Sequence, residues 1–90
     1  MKRCHIFISG RVQGVGYRSF TMSTADSLRL KVFVHNLEEG RVEIIVEGKE
    51  KEILEFIKRL KKGPFFASVD RIEVSWEDSK NEFKDFFVMR

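Results

Sequence analysis

Cysteine is almost absent from this chain. Cys4 is the only one, so no disulfide framework can form within it. A lone thiol suits a reducing compartment, and the expected location is cytoplasmic. Long apolar runs are missing too. None approaches the roughly 20 residues that span a bilayer. The opening Met1-Lys2-Arg3-Cys4-His5-Ile6 reads straight into a strand, without the apolar region and small-residue cleavage site of a secretory signal. No membrane contact is expected. Histidine is scarce: His5 and His35 are the only two, and two ligands do not make a zinc site. No Ser-His-Asp set, carboxylate cluster or metal-ligand set is visible, so neither metal nor cofactor is expected.

What remains is an ordinary globular composition. Ninety residues give one domain, residues 1–90, with one modest core. Lys plus Arg number 17 against 14 Asp plus Glu, a net charge of +3. That excess suits a small anionic ligand, and it is too weak to imply nucleic acid without a basic stripe. A monomer acting on a small molecule is the expectation.

Apolar periodicity divides the chain into alternating elements. Residues 4–9 read as a strand with apolar residues on both faces, hence central in a sheet. From Tyr17 to Leu28 the spacing turns helical, with Tyr17, Phe20, Thr24, Ala25 and Leu28 on one side. Residues 32–36 and 41–47 are strands joined by the short connection Leu37-Glu38-Glu39-Gly40. Lys49 to Lys62 is the clearest helix, with Ile53, Phe56, Ile57 and Leu60 as its apolar stripe and Gly63-Pro64 ending it. Val69 to Glu77 is a fourth strand with Ile72, Val74 and Trp76 inward, and Phe83 to Met89 is apolar enough to add a short one. The order βαββαβ predicts an α+β, ferredoxin-like sandwich. Two helices cover one face of an antiparallel sheet of four to five strands.

Between the first strand and the first helix stand Gly10, Gly14 and Gly16. Glycine lets successive N–H groups turn inward and leaves no Cβ in a ligand's way. Such a nest binds anions, and the following helix adds free N–H groups and its positive dipole end. Arg18 in the first helical turn is unfavourable for the helix unless an anion docks beside it. The bland alternative is a tight glycine turn with an exposed arginine. The loop lacks the Gly-Lys-Ser/Thr ending of a Walker A motif, it breaks G-x-G-x-x-G at Ser19, and Cys4 lies in the strand before it.

The stretch Ile8-Ser9-Gly10-Arg11-Val12-Gln13-Gly14-Val15-Gly16-Tyr17-Arg18 resembles the first signature of the acylphosphatase family, with Tyr17 in a ring position. Val32-Phe33-Val34-His35-Asn36-Leu37-Glu38-Glu39-Gly40-Arg41-Val42 resembles the second, with Val32 replacing a glycine and His35 a Lys or Arg. Gly63-Pro64, Ala67 and Val69 follow in the family's order, so the likeness spans essentially the whole chain. The resemblance implies metal-independent hydrolysis of acyl phosphates to carboxylate and inorganic phosphate. It implies that Arg18 and the loop amides of Gln13, Gly14, Val15, Gly16, Tyr17 and Arg18 bind the phosphate. It implies that Asn36 orients the attacking water. The competing reading is a non-enzymatic nucleic-acid or regulatory module on the same fold. RNA readers of this fold need exposed aromatics on central strands, and Arg41 to Glu47 offers none.

Other candidates have plainer readings. His5 is expected to pack on the sheet face and His35 to sit at the surface. Cys4 is read as a small buried strand residue. Most phenylalanines are assigned to the core, Phe65 and Phe66 included, with an apolar rim for the acyl group as their alternative. Arg11 and Arg41 are read as surface charge.

Overall fold

The computed structural model describes residues 1–78 and 88–89. In chain order the elements are β1 (Lys2–Arg11), α1 (Tyr17–Ser27), β2 (Lys31–Asn36), β3 (Val42–Gly48), α2 (Glu50–Lys62), β4 (Ser68–Asp78) and β5 (Val88–Met89). The sheet order is β4-β1-β3-β2-β5, so β1 is central as its two apolar faces require. The pairings of β1 with β3, β1 with β4 and β2 with β3 are all antiparallel. The βαββαβ sandwich predicted from periodicity is therefore the fold. The terminal strand differs in one respect: Val88 and Met89 pair parallel to Val34 and His35. Phe83, Phe86 and Phe87 lie outside the described residues.

One sheet face meets the helices. Cys4, Ile6 and Ile8 from β1, Val32 and Val34 from β2, and Val42, Ile44 and Val46 from β3 are buried there. Helix α2 adds Ile53, Phe56, Ile57 and Leu60, the stripe read from its spacing. Its first turn carries Glu50 and Glu52 and its last Arg59, Lys61 and Lys62, which complements the helix dipole. Helix α1 is less apolar. It buries Tyr17, Thr21, Thr24 and Ala25, while Phe20 and Leu28 are only partly covered. Thr21 and Thr24 are accommodated because each hydroxyl donates to a carbonyl one turn earlier, at 2.8 Å to Tyr17 and 2.7 Å to Phe20.

Several core assignments from the sequence are corrected. Among the described phenylalanines only Phe56 is fully buried, while Phe65 is 93% exposed and Phe66 72%. The Ala67 N–H donates to the Pro64 carbonyl at 3.1 Å, which closes a turn with both phenylalanines at its corner. Trp76 pairs with Cys4 but is half exposed. It stands on an edge strand beside Glu50, where α2 begins and its cover stops. His35 is partly buried rather than superficial, with its Nδ1 enclosed.

Two buried acids link the core to pH. Burial first, then the Glu50 and Glu77 carboxylates, pushes the Cys4 thiol from 9.0 up to about 12. Burial also pushes the Tyr17 phenol up. Each group then stays protonated in the folded chain at a pH where the unfolded chain has lost the proton. For Cys4 this contribution is complete below pH 9 and is lost as pH rises from 9 toward 12, at about 1.4 kcal/mol per pH unit; for Tyr17 the loss begins only above the ordinary phenol value of 10.0. Urea midpoints should be level from pH 7 to 8.5 and fall steeply by pH 11, with Cys4→Ala falling less than the wild type.

Candidate active site

The glycine loop is built where β1 must leave the sheet. Its pairing with β4 shifts register between Ser9 and Gly10, and Gly10 has φ 125°. A Cβ at Gly10 would lie 2.2 Å from the Ser68 carbonyl oxygen and 2.7 Å from the Asp70 nitrogen, so only glycine lets the two backbones approach. Gly14 and Gly16 follow with φ 73° and 79°. Alternation of left-handed glycines with ordinary residues is what turns consecutive N–H groups to one side. Gly16 is also the N-cap of α1. It provides no side-chain cap, and the first turn carries no acid. The helix therefore begins with free N–H groups and an uncompensated positive end.

These elements enclose an open cleft of about 740 Å³ lined by Val12, Gly14, Gly16, Tyr17, Arg18, Ser19, Met22 and Asn36. Arg18 comes from the first turn of α1 and Asn36 from the last residue of β2, 18 positions apart in sequence. Two polar atoms in this lining are buried without a hydrogen-bond partner: Arg18 Nε, a donor, and Asn36 Oδ1, an acceptor. A buried polar atom left unpaired costs about 1–3 kcal/mol, so one such atom from each wall marks a place prepared for a ligand. The two atoms ask for opposite partners. An oxyanion satisfies Arg18 and gives Asn36 Oδ1 nothing, whereas a water molecule can donate to Asn36.

Gln13 and Val15 are not among the lining residues. The Gln13 amide is committed elsewhere: it donates to the Leu37 carbonyl at 2.7 Å and to the Arg41 carbonyl at 2.9 Å. Both carbonyls belong to the β2–β3 hairpin that begins directly after Asn36. Gln13 thereby fastens the loop carrying the nest to the hairpin that positions Asn36, using both amide hydrogens. This role was not read from the sequence, although Gln13 is the only glutamine in the chain. Gln13→Leu should destabilise the fold by about 1–3 kcal/mol through the loss of two hydrogen bonds, at about 0.5–1.5 kcal/mol each, while the Leu37 and Arg41 carbonyls keep their backbone donors Gly40 and Leu37. It should also lower kcat by about tenfold, because a misplacement near 1 Å away from the chemistry is already expensive. Wild-type kcat in that variant would remove the positioning role.

The acylphosphatase family model matches residues 4–88, which takes in both walls of the cleft. The chain belongs to the acylphosphatase family. It is 45% identical over 85 residues to an acylphosphatase of Methanococcoides burtonii, covering 94% of this chain and 88% of that protein. It is 43% identical over 88 residues to one of Thermus thermophilus, covering 98% and 99%. The crystal structure of acylphosphatase from Bacillus subtilis superposes with a TM-score of 0.94 at 37% identity, covering all of both chains.

Within this acylphosphatase-family site, the remaining sequence candidates stand outside the cleft. His5 stacks on Phe7 at 4.7 Å, and its Nε2 lies 2.6 Å from Glu43 Oε2. Arg41 lies over the Phe7 ring at 4.7 Å, and its Nη2 reaches Glu39 at 2.6 Å, so it braces the hairpin rather than standing free. Among the described residues no group of three metal-ligating side chains converges. Nor is any described helix long and apolar enough to cross a membrane.

Proposed function

We propose that this acylphosphatase-family chain hydrolyses acyl phosphates by dividing the work between the two walls of its cleft. The nest amides of the glycine loop, the free N–H groups opening α1 and the Arg18 guanidinium hold the phosphoryl oxygens. Asn36 Oδ1 accepts a hydrogen bond from the attacking water and aims its lone pair at phosphorus. The single observation that carries this reading is the pairing of an unpartnered donor with an unpartnered acceptor on opposite walls of one cleft.

The chemistry needs little more. The leaving group is a carboxylate whose acid has a pKa of about 4–5, close to that of a free Asp or Glu, so no general acid has to protonate it. Phosphoryl transfer is mainly positioning and charge stabilisation, which fixed donors provide. As charge redistributes over the equatorial oxygens, Arg18 and the amides stabilise it without reorganising. Asn36 is too weak a base to take the water's proton, and a phosphate oxygen of the substrate is the available acceptor. Loop amides and Arg18 supply the positive charge, so the proposal is metal-independent.

The cleft suits a small-molecule substrate, and the proposed unit is one cytoplasmic domain over residues 1–90 working as a monomer. Family membership favours hydrolysis over a nucleic-acid or regulatory module. Phosphate release from acetyl phosphate in excess chelator tests the reading. Turnover should be undiminished by chelator, and inorganic phosphate should compete. Strict dependence on added metal would refute it.

A further inference from the structure

Three connections meet at one end of the sheet. Ile8 pairs with Val42, and Arg11 pairs with Ser68, so the glycine loop, the β2–β3 hairpin and the α2–β4 turn share that end. The strand order β4-β1-β3-β2 places them in a row. Asn36 and its hairpin flank the loop on one side. The turn Pro64–Ala67 flanks it on the other. The contact on that second side runs through the core: a Cβ at Gly63 would lie 3.3 Å from Cε2 in the buried ring of Tyr17, the first residue of α1.

The turn presents Phe65 and Phe66 to solvent, 93% and 72% exposed, with ring centroids 5.1 Å apart and planes at 87°. An edge-to-face pair is a stable arrangement of two rings that leaves one face open. The core does not need them, since Ala67 and Val69 fill the space beside Gly63. Two adjacent exposed phenylalanines mark a contact surface.

The geometry of phosphoryl transfer says what that surface meets. Attacking and leaving oxygens lie roughly in line through phosphorus. With the water held at Asn36, the carboxylate departs on the opposite side, away from β2 and toward β4. We propose that Phe65 and Phe66 form an acyl-group subsite, so that this chain favours acyl phosphates with a bulky apolar acyl chain, aromatic or extended alkyl. This rests on the assignment of Arg18 and Asn36 above.

The test compares acetyl phosphate with benzoyl phosphate in the wild type and in the double variant Phe65→Ser/Phe66→Ser. Both residues are exposed, so the variant should retain the far-ultraviolet spectrum and urea midpoint of the wild type. For the variant, kcat/KM on benzoyl phosphate should fall about tenfold, the scale of a small apolar pocket contact, while acetyl phosphate changes less than about twofold. The apolar replacement Phe65→Leu/Phe66→Leu should recover much of the loss. Equal loss on both substrates, or none, overturns the subsite alone. Failure of the wild type on both substrates overturns the hydrolase reading and the subsite with it. Wild-type binding to anionic lipid vesicles that the variant loses, with an unchanged substrate ratio, overturns the subsite and assigns the pair to a membrane surface.

Discussion

Arg18→Ala is expected to lose about 10²–10³-fold in kcat/KM on acetyl phosphate, the scale found when one fixed donor to a developing oxyanion is removed. The loss should fall on substrate binding and on kcat together, because the guanidinium grips the phosphoryl group before and during transfer. Inhibition by inorganic phosphate should weaken in parallel. Arg18→Lys should recover little. A lysine keeps the charge but not the planar fork, and it cannot place a donor where the buried Nε stands. Stability should not suffer. Arg18 is a cation at a helix N-terminus that has no acidic residue in its first turn, so removing it relieves an unfavourable dipole interaction of about 0.3–1 kcal/mol. Lost activity with unchanged or raised stability is the signature of a residue kept for its ligand. Near-normal turnover in Arg18→Ala would end its assignment.

Asn36→Ala should separate the two walls of the cleft. Its kcat is expected to fall about 10²-fold or more, the range for losing a group that positions a reactant, while phosphate inhibition stays within about threefold of wild type. The contrast with Arg18 is the informative part. If Asn36 held the phosphoryl group, the inhibition constant for phosphate would rise together with the loss of turnover. Asn36→Asp should be at least as damaging as alanine. It keeps the shape but sets a carboxylate beside a bound anion, and like charges in a partly enclosed site repel strongly. Phosphate binding weakened as much in Asn36→Ala as in Arg18→Ala would assign the asparagine to the ligand instead of the water.

The fold was largely legible because its signals are local. The stripe Ile53, Phe56, Ile57 and Leu60 declares α2, and the alternation of Val42, Ile44 and Val46 declares a strand with one buried face. What went unread depends on neighbours. Trp76 continues the inward alternation of Ile72 and Val74, and whether a helix extends over it is not encoded in the strand. Phe65 and Phe66 are apolar, yet the turn after Gly63 carries them outward, and composition alone assigns such residues to a core. Within the site, Arg18 was legible because a cation there makes no sense for the helix by itself. Gln13 was not. Its task is to bridge the Leu37 and Arg41 carbonyls across 24 and 28 residues of sequence, and no spacing rule announces such a contact. Asn36 was named only through the family signature. Its own neighbourhood in sequence, between His35 and Leu37, gives no hint that its Oδ1 ends unpartnered in the cleft.

That unpartnered oxygen is the point on which the proposed mechanism turns, since there it is assigned to direct water at phosphorus rather than at the acyl carbon. The direct test is hydrolysis of acetyl phosphate by the wild-type chain in water enriched in ¹⁸O, with the label located by mass spectrometry after a single turnover. Attack guided by Asn36 on a phosphoryl group held by Arg18 and the loop puts one ¹⁸O into inorganic phosphate and none into acetate. Label appearing in acetate would mean that the carbonyl is attacked, and the division of labour between the two walls would be contradicted.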